Sequence, residues 1–121
     1  MKQTPASRRA SEELRVKLAN VIMFEISDPR LDLLTITDVE VSKDREVANV
    51  YVTADKKDYK RIMEGLESAK GRIRSLVGKS LNWRVTPELR FRLDPSIDEA
   101  ERIANVLEEE QRWQNSTTDQ Q

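Results

Sequence analysis

The sequence predicts an α+β domain in which a small three-stranded sheet carries helices on one face, in the order helix, strand, strand, helix, helix, strand, helix. Three observations lead there. Apolar residues recur at spacings of three and four in three stretches, the signature of helices with one buried face. Between them lie stretches rich in β-branched residues that alternate with polar ones, as half-buried strands do. Prolines, glycines and charged clusters separate the two kinds. With 121 residues, 37% of them hydrophobic, the chain has enough for one core and too little for two domains.

Thr4 before Pro5 starts the first helix, because a proline at the first helical position gives up an N–H that would have no partner anyway. Ala10, Leu14, Leu18, Val21 and Ile22 form its apolar stripe, and Asp28-Pro29 ends it, since a residue before proline is pushed out of the helical region. Glu25 is placed at the exposed end of that helix. Residues 35–42 and 47–53 pair as a hairpin around Lys43-Asp44-Arg45-Glu46. In the second strand Ala48, Val50 and Val52 occupy one face. Ile36 and Val39 in the first are out of phase, which a bulge near Asp38 reconciles.

Helix returns near Asp58 and continues to Gly78, interrupted at Ala69-Lys70-Gly71. Glycine inside a helix costs about 1 kcal/mol relative to alanine, so this position suggests a bend or a close approach to the backbone. Leu81, Trp83 and Val85, then Leu89, Phe91 and Leu93 beyond Pro87, alternate as a third strand whose proline marks an edge or bulge. Ser96 with Glu99 makes a capping box for a last helix with the stripe Ile97, Ala100, Ala104 and Leu107. Residues 1–107 then form the domain, and 108–121, which contain Trp113, a disordered acidic and polar tail.

Cysteine and histidine are both absent, which removes disulfides, thiolate nucleophiles, soft-metal sites and the usual side chain for proton transfer near neutral pH. Nothing in the spacing of the acids selects a carboxylate pair facing one cleft. A binding module is therefore expected, with no catalytic residues, metal or cofactor. No apolar run approaches the roughly 20 residues that span a bilayer, and there is no signal-peptide core, so the expected location is cytoplasmic.

The net charge of -1 hides segregation: residues 1–20, 21–55, 56–92 and 93–121 carry +3, -5, +7 and -6 in turn. A local basic surface can hold phosphate even when the whole chain is slightly acidic. The alternatives at this point are an anionic partner for the basic stretch, or a kinked core helix whose charged face is merely solvated.

The element order, with a glycine turn between its middle helices, resembles the type II KH domain, whose GxxG loop clamps nucleic-acid backbone. GxxG itself is missing. The stretches Glu25 to Arg30 (EISDPR), Thr35 to Asp44 (TITDVEVSKD), Val50-Tyr51-Val52, Ala69-Lys70-Gly71, Ile73 to Lys79 (IRSLVGK) and Pro87 to Phe91 (PELRF) resemble the bacterial ribosome-binding factor A family. There an Ala-x-Gly kink replaces GxxG, here at Ala69 and Gly71. The resemblance implies an assembly factor that binds the free small ribosomal subunit and its rRNA and assists late maturation, including processing of the rRNA 5′ end and growth in the cold. It brings no catalytic residues. Lys70, Gly71, Arg72, Arg74 and Lys79 are the leading candidate RNA contacts, Arg84, Arg90 and Arg92 the next, and Arg8, Arg9 and Arg15 a second patch. A monomer is expected, with an assembly GTPase as a further candidate partner and no membrane contact. The competing reading is a KH-like protein-interaction module that never touches RNA.

Overall fold

The computed structural model describes residues 3–95. The last helix with its Ser96 capping box, the tail and Trp113 lie outside the described residues.

Helix α1 spans Pro5–Phe24. At its start the Thr4 side chain accepts from the Ser7 N–H (3.2 Å) while Ser7 Oγ accepts from the Thr4 N–H (2.7 Å), a reciprocal cap with Pro5 just inside it. Ala10, Leu14, Leu18, Val21 and Ile22 are buried, as their spacing predicted. The helix stops at Phe24, short of Asp28 and earlier than the proline alone required. Asp28 instead caps a 3-10 turn at Pro29–Leu33: its Oδ1 accepts from the Arg30 N–H (3.0 Å), and the Arg30 guanidinium closes back on the same carboxylate (2.7 Å). That guanidinium holds the Asp28 carboxyl below the usual carboxylate range. Its contribution to stability is therefore complete above that range and is lost as pH falls through the lowered value. Glu25 lies exposed beyond the helix, where the sequence placed it.

Strands β1 (Thr35–Val41) and β2 (Val47–Thr53) form the hairpin, with the register shifting between Ile36 and Asp38. The out-of-phase Ile36 and Val39 are thus resolved by the bulge they implied. Ala48, Val50 and Val52 of the central β2 are fully buried. Strand β3 (Glu88–Leu93) joins β2 in parallel, giving the order β1-β2-β3. Its first half, expected from Leu81 onward, does not pair. Pro87 has no N–H to give, and the carbonyls of Thr86 and Pro87 are taken by Arg74, so the ladder begins where the Glu88 N–H reaches Glu46 O (2.8 Å).

Helix α2 (Tyr59–Ser80) crosses from β2 to β3 as one uninterrupted helix. The expected interruption at Ala69-Lys70-Gly71 does not break it. Ile62, Leu66, Ile73 and Val77 seal it against α1 and the sheet, so one helix stands where the sequence suggested two. Both helices cover the same face of the sheet.

The free edge of β1 is closed where it meets α1. Ser11 Oγ accepts from the Val41 N–H (2.9 Å) and Gln3 Nε2 donates to Val41 O (3.2 Å), satisfying edge groups that would otherwise invite another strand. Because Ser11 is buried, Ser11→Ala orphans a buried amide. It is expected to lower unfolding stability by about 1–3 kcal/mol, read from the midpoint of a urea titration.

Candidate nucleic-acid interface

The basic candidates from Lys70 to Arg92 do not share one surface. On α2, periodicity turns Gly71, Arg72, Ser75 and Lys79 away from the apolar stripe and leaves Lys70 at its flank, and the segment after the helix brings Thr86 up beside Ser75 and Lys79. Gly71, Arg74, Ser75, Gly78, Lys79 and Thr86 line an open groove of about 480 Å³.

Each cation there has its own geometry. Arg72, Lys79 and Arg84 are exposed and, among the described residues, hold no ion pair or side-chain hydrogen bond. Lys70 is half-buried, with Nζ 3.7 Å from Glu67 Oε1. Arg74 is a strut: Nε donates to Pro87 O (3.1 Å) and Nη2 to Thr86 O (2.7 Å), fixing the approach to β3 against α2. Its guanidinium is thus only partly available for an outside anion.

The glycines divide in an unexpected way. A Cβ on Gly71 would meet nothing within 4 Å, and no glycine has a positive φ among the described residues. Neither backbone geometry nor internal packing requires glycine there. Gly78, expected only to stop the helix, is the close contact: a Cβ would lie 2.7 Å from Thr86 Oγ1. The helix runs past it to Ser80.

Arg90 and Arg92 lie on the other face of the sheet, away from α2, because the alternation of β3 buries Leu89 and Phe91 under the helices. Arg92 Nε donates to Asn49 Oδ1 (3.2 Å), and Arg90 stands 3.4 Å from Glu88 Oε2. Tyr51 sits between Asn49 and Thr53 on that face; burial, followed by its hydrogen bond with Glu40, pushes its hydroxyl pKa up. The structure therefore separates these arginines from the α2 group. The patch on α1 is separate again. Arg8 and Arg9 are exposed, but Arg15 pairs with Glu12 (Nε to Oε2, 2.9 Å), which raises the arginine's pKa and lowers the glutamate's. Arg8 and Arg15 share a depression with Glu12, Asp38 and Glu40, so acids offset that surface.

One organising side chain has no signal in the sequence. Trp83 leaves the strand line to lie beneath Arg45, whose guanidinium carbon is 4.9 Å from the ring centroid, and its Nε1 donates to Glu13 Oε2 (3.3 Å). Arg45 itself takes the left-handed conformation, φ 61°, in the hairpin turn. The tryptophan thus ties the turn, α1 and the Arg84 segment together.

Comparison with known proteins bears on the family and the fold. A protein named ribosome-binding factor A from Halothermothrix orenii is 42% identical over 103 residues, covering 84% of each chain. The crystal structure of ribosome-binding factor A from Thermus thermophilus superposes with a TM-score of 0.66 at 31% identity, covering 72% of this chain and 94% of that one. A homology model of the Thermus thermophilus factor, fitted into the cryo-EM map of a 30S–RbfA complex, gives a TM-score of 0.57 at 33% identity over 68% of this chain and 88% of that one. The profile of the family described as ribosome-binding factor A matches residues 6–107, and the chain belongs to that family.

Proposed function

We propose that this chain binds the free small ribosomal subunit through its rRNA and assists the late maturation of that subunit, including processing of the rRNA 5′ end. The observation that carries the reading is the trio Arg72, Lys79 and Arg84, exposed and uncommitted, with Lys79 on the wall of a groove where Gly71 leaves the helix backbone bare. Such a surface suits sugar-phosphate backbone: flexible Lys and planar Arg meet phosphates while a missing side chain lets the strand lie close. Family membership and the fitting of a related factor into a 30S complex support the same partner.

Lys70 and the outer edge of the Arg74 guanidinium extend this surface, Arg90 and Arg92 offer a second facet, and the patch of Arg8, Arg9 and Arg15 contributes least, since acids lie beside Arg8 and Arg15. In this reading the α2 groove does the work of a KH loop, the binding domain is 1–107, and residues 108–121 add nothing to binding. The protein acts as a monomer in the cytoplasm without chemistry of its own, and an assembly GTPase is its further partner.

Co-sedimentation of the purified protein with free small subunits, large subunits and joined ribosomes tests the reading. Association with free small subunits alone is the expected result, and equal association with all three refutes it. Gly71→Ala sharpens the test. With open space at the Cβ, alanine should raise unfolding stability by about 0.5–1 kcal/mol. Weaker subunit binding by the same, more stable variant would mean that the bare backbone serves the RNA, and undiminished binding would mean that it does not.

A further inference from the structure

The contact between Arg45 and Trp83 is built in a way that a structural brace does not require. The hairpin turn is pinned without the Arg45 side chain: the Arg45 N–H donates to Ser42 O (2.9 Å), and Asp44 Oδ1 accepts from Ser42 Oγ (2.7 Å) and from the Glu46 N–H (3.1 Å). Arg45 sits in that turn at φ 61°, a conformation that glycine or asparagine adopts at less cost. Strain kept in a turn that is otherwise secure implies a use for the side chain. Yet the guanidinium is exposed and, among the described residues, has no hydrogen bond or ion pair. What it touches is the Trp83 ring.

Trp83 is held in place by other contacts. Half-buried, it packs against the core cluster, and its Nε1 donates to Glu13 Oε2 (3.3 Å), which sets the plane of the ring. The face beneath Arg45 is thus covered by a side chain that can leave without loosening the turn. Trp83 also belongs to the 81–87 segment whose Thr86 lines the groove of Gly71 and Lys79, at most about 10 Å of chain away. A strand lying in that groove passes close to the indole. Stacking of a base on an aromatic ring is worth more than an exposed cation–π contact, and a displaced guanidinium gains a phosphate in exchange.

We propose that Trp83 is a stacking site for one unpaired nucleobase of a single-stranded RNA segment, with Arg45 as a displaceable cover that swings off the ring to meet a phosphate of the same strand. The site rests on the RNA reading of the α2 groove and adds to it a contact with a base. Every base has a π-face, so the indole accepts any of them and reads no sequence.

The test uses the full chain with Trp113→Phe, which leaves Trp83 as its one tryptophan. Trp83 emission is followed at low salt as hexaadenylate is added, or a hexamer of the same ribose-phosphate backbone without bases. Hexaadenylate is expected to quench Trp83 with an apparent affinity about tenfold above that of the abasic hexamer. An equal response to the two, or none to either, overturns the proposal. Co-sedimentation with free small subunits separates this site from the basic surface. Trp83→Phe keeps a π-face and is expected to bind nearly as wild type, whereas Trp83→Leu should bind about tenfold more weakly with its salt slope unchanged, since no charge is lost. Wild-type binding by Trp83→Leu overturns the stacking site and leaves the RNA reading of the groove standing. The quenching measurement keeps Trp83 in place and so decides even where Trp83→Leu unfolds.

Discussion

Reversal of Arg72, Lys79 and Arg84 to glutamate together is expected to lower affinity for free small subunits at least about a hundredfold. Each lost contact to a charged phosphate is worth about 1.5 kcal/mol or more, and the introduced acids add repulsion. The salt dependence should flatten as well: three phosphate contacts on single-stranded RNA account for a slope of ~2 in log affinity against log salt. Stability should hardly change, because these side chains are exposed and hold nothing within the described fold. Arg74 is left in place deliberately, since its bonds to Thr86 and Pro87 would make a loss of binding ambiguous. Reversal of Glu108, Glu109 and Glu110 is the matched control and should leave binding intact or slightly stronger. Wild-type co-sedimentation by the basic triple variant across a salt series would refute the RNA reading and favour docking on protein.

The largest loss of stability at a surface position is expected at Gly78. A Cβ there would stand 2.7 Å from Thr86 Oγ1, with Cγ2 at 3.4 Å and Cβ at 3.6 Å behind it, so the bulkier Gly78→Val is expected to displace the Thr86 side chain and push the 81–87 segment from α2 or strain the helix. Overpacking of this kind costs about 2–3 kcal/mol, which in a domain of this size lowers the thermal midpoint by roughly 10–20 °C. Thr86→Ala in the same chain removes the obstructing atoms and should recover part of the loss. Full stability in Gly78→Val alone would mean that the segment is not held against α2 as the structure has it. The contrast with Gly71→Ala, expected to stabilise, separates a glycine the fold needs from one it does not.

What the sequence disclosed and withheld follows from the distance over which each feature is determined. The Thr4 cap, the stripe of α1, the alternation of β2 and the bulge after Ile36 depend on neighbours a few residues away, and each could be read directly. The basic stretch was equally legible as charge. Its division was not: Arg72 and Arg92 look alike in a composition count, yet a helix period sends one to the groove and a strand period sends the other to the opposite face of the sheet. Arg74 reads as one more cation until the Thr86 and Pro87 carbonyls arrive beside it, and Trp83 reads as a strand residue until Glu13 and Arg45 meet it from distant parts of the chain. Gly71 and Gly78 share one helix. Only the packing of a later segment distinguishes the constrained one from the open one.

The parallel pairing of β2 with β3 imposes an order in time on the binding surface. A hairpin such as β1–β2 closes over a few residues, whereas β3 pairs with β2 across the whole of α2, so its contacts are non-local and are expected to form last, after the main barrier. The wall that Thr86 gives the groove belongs to that late step. Partly folded molecules with the hairpin and α2 in place therefore still lack a complete cradle for phosphate. Substitutions at Gly78 or Arg74 should accordingly quicken unfolding while leaving the folding rate nearly unchanged, a split that the two arms of a chevron plot read separately. On the proposed reading, competence to bind RNA doubles as a report that the chain has finished folding.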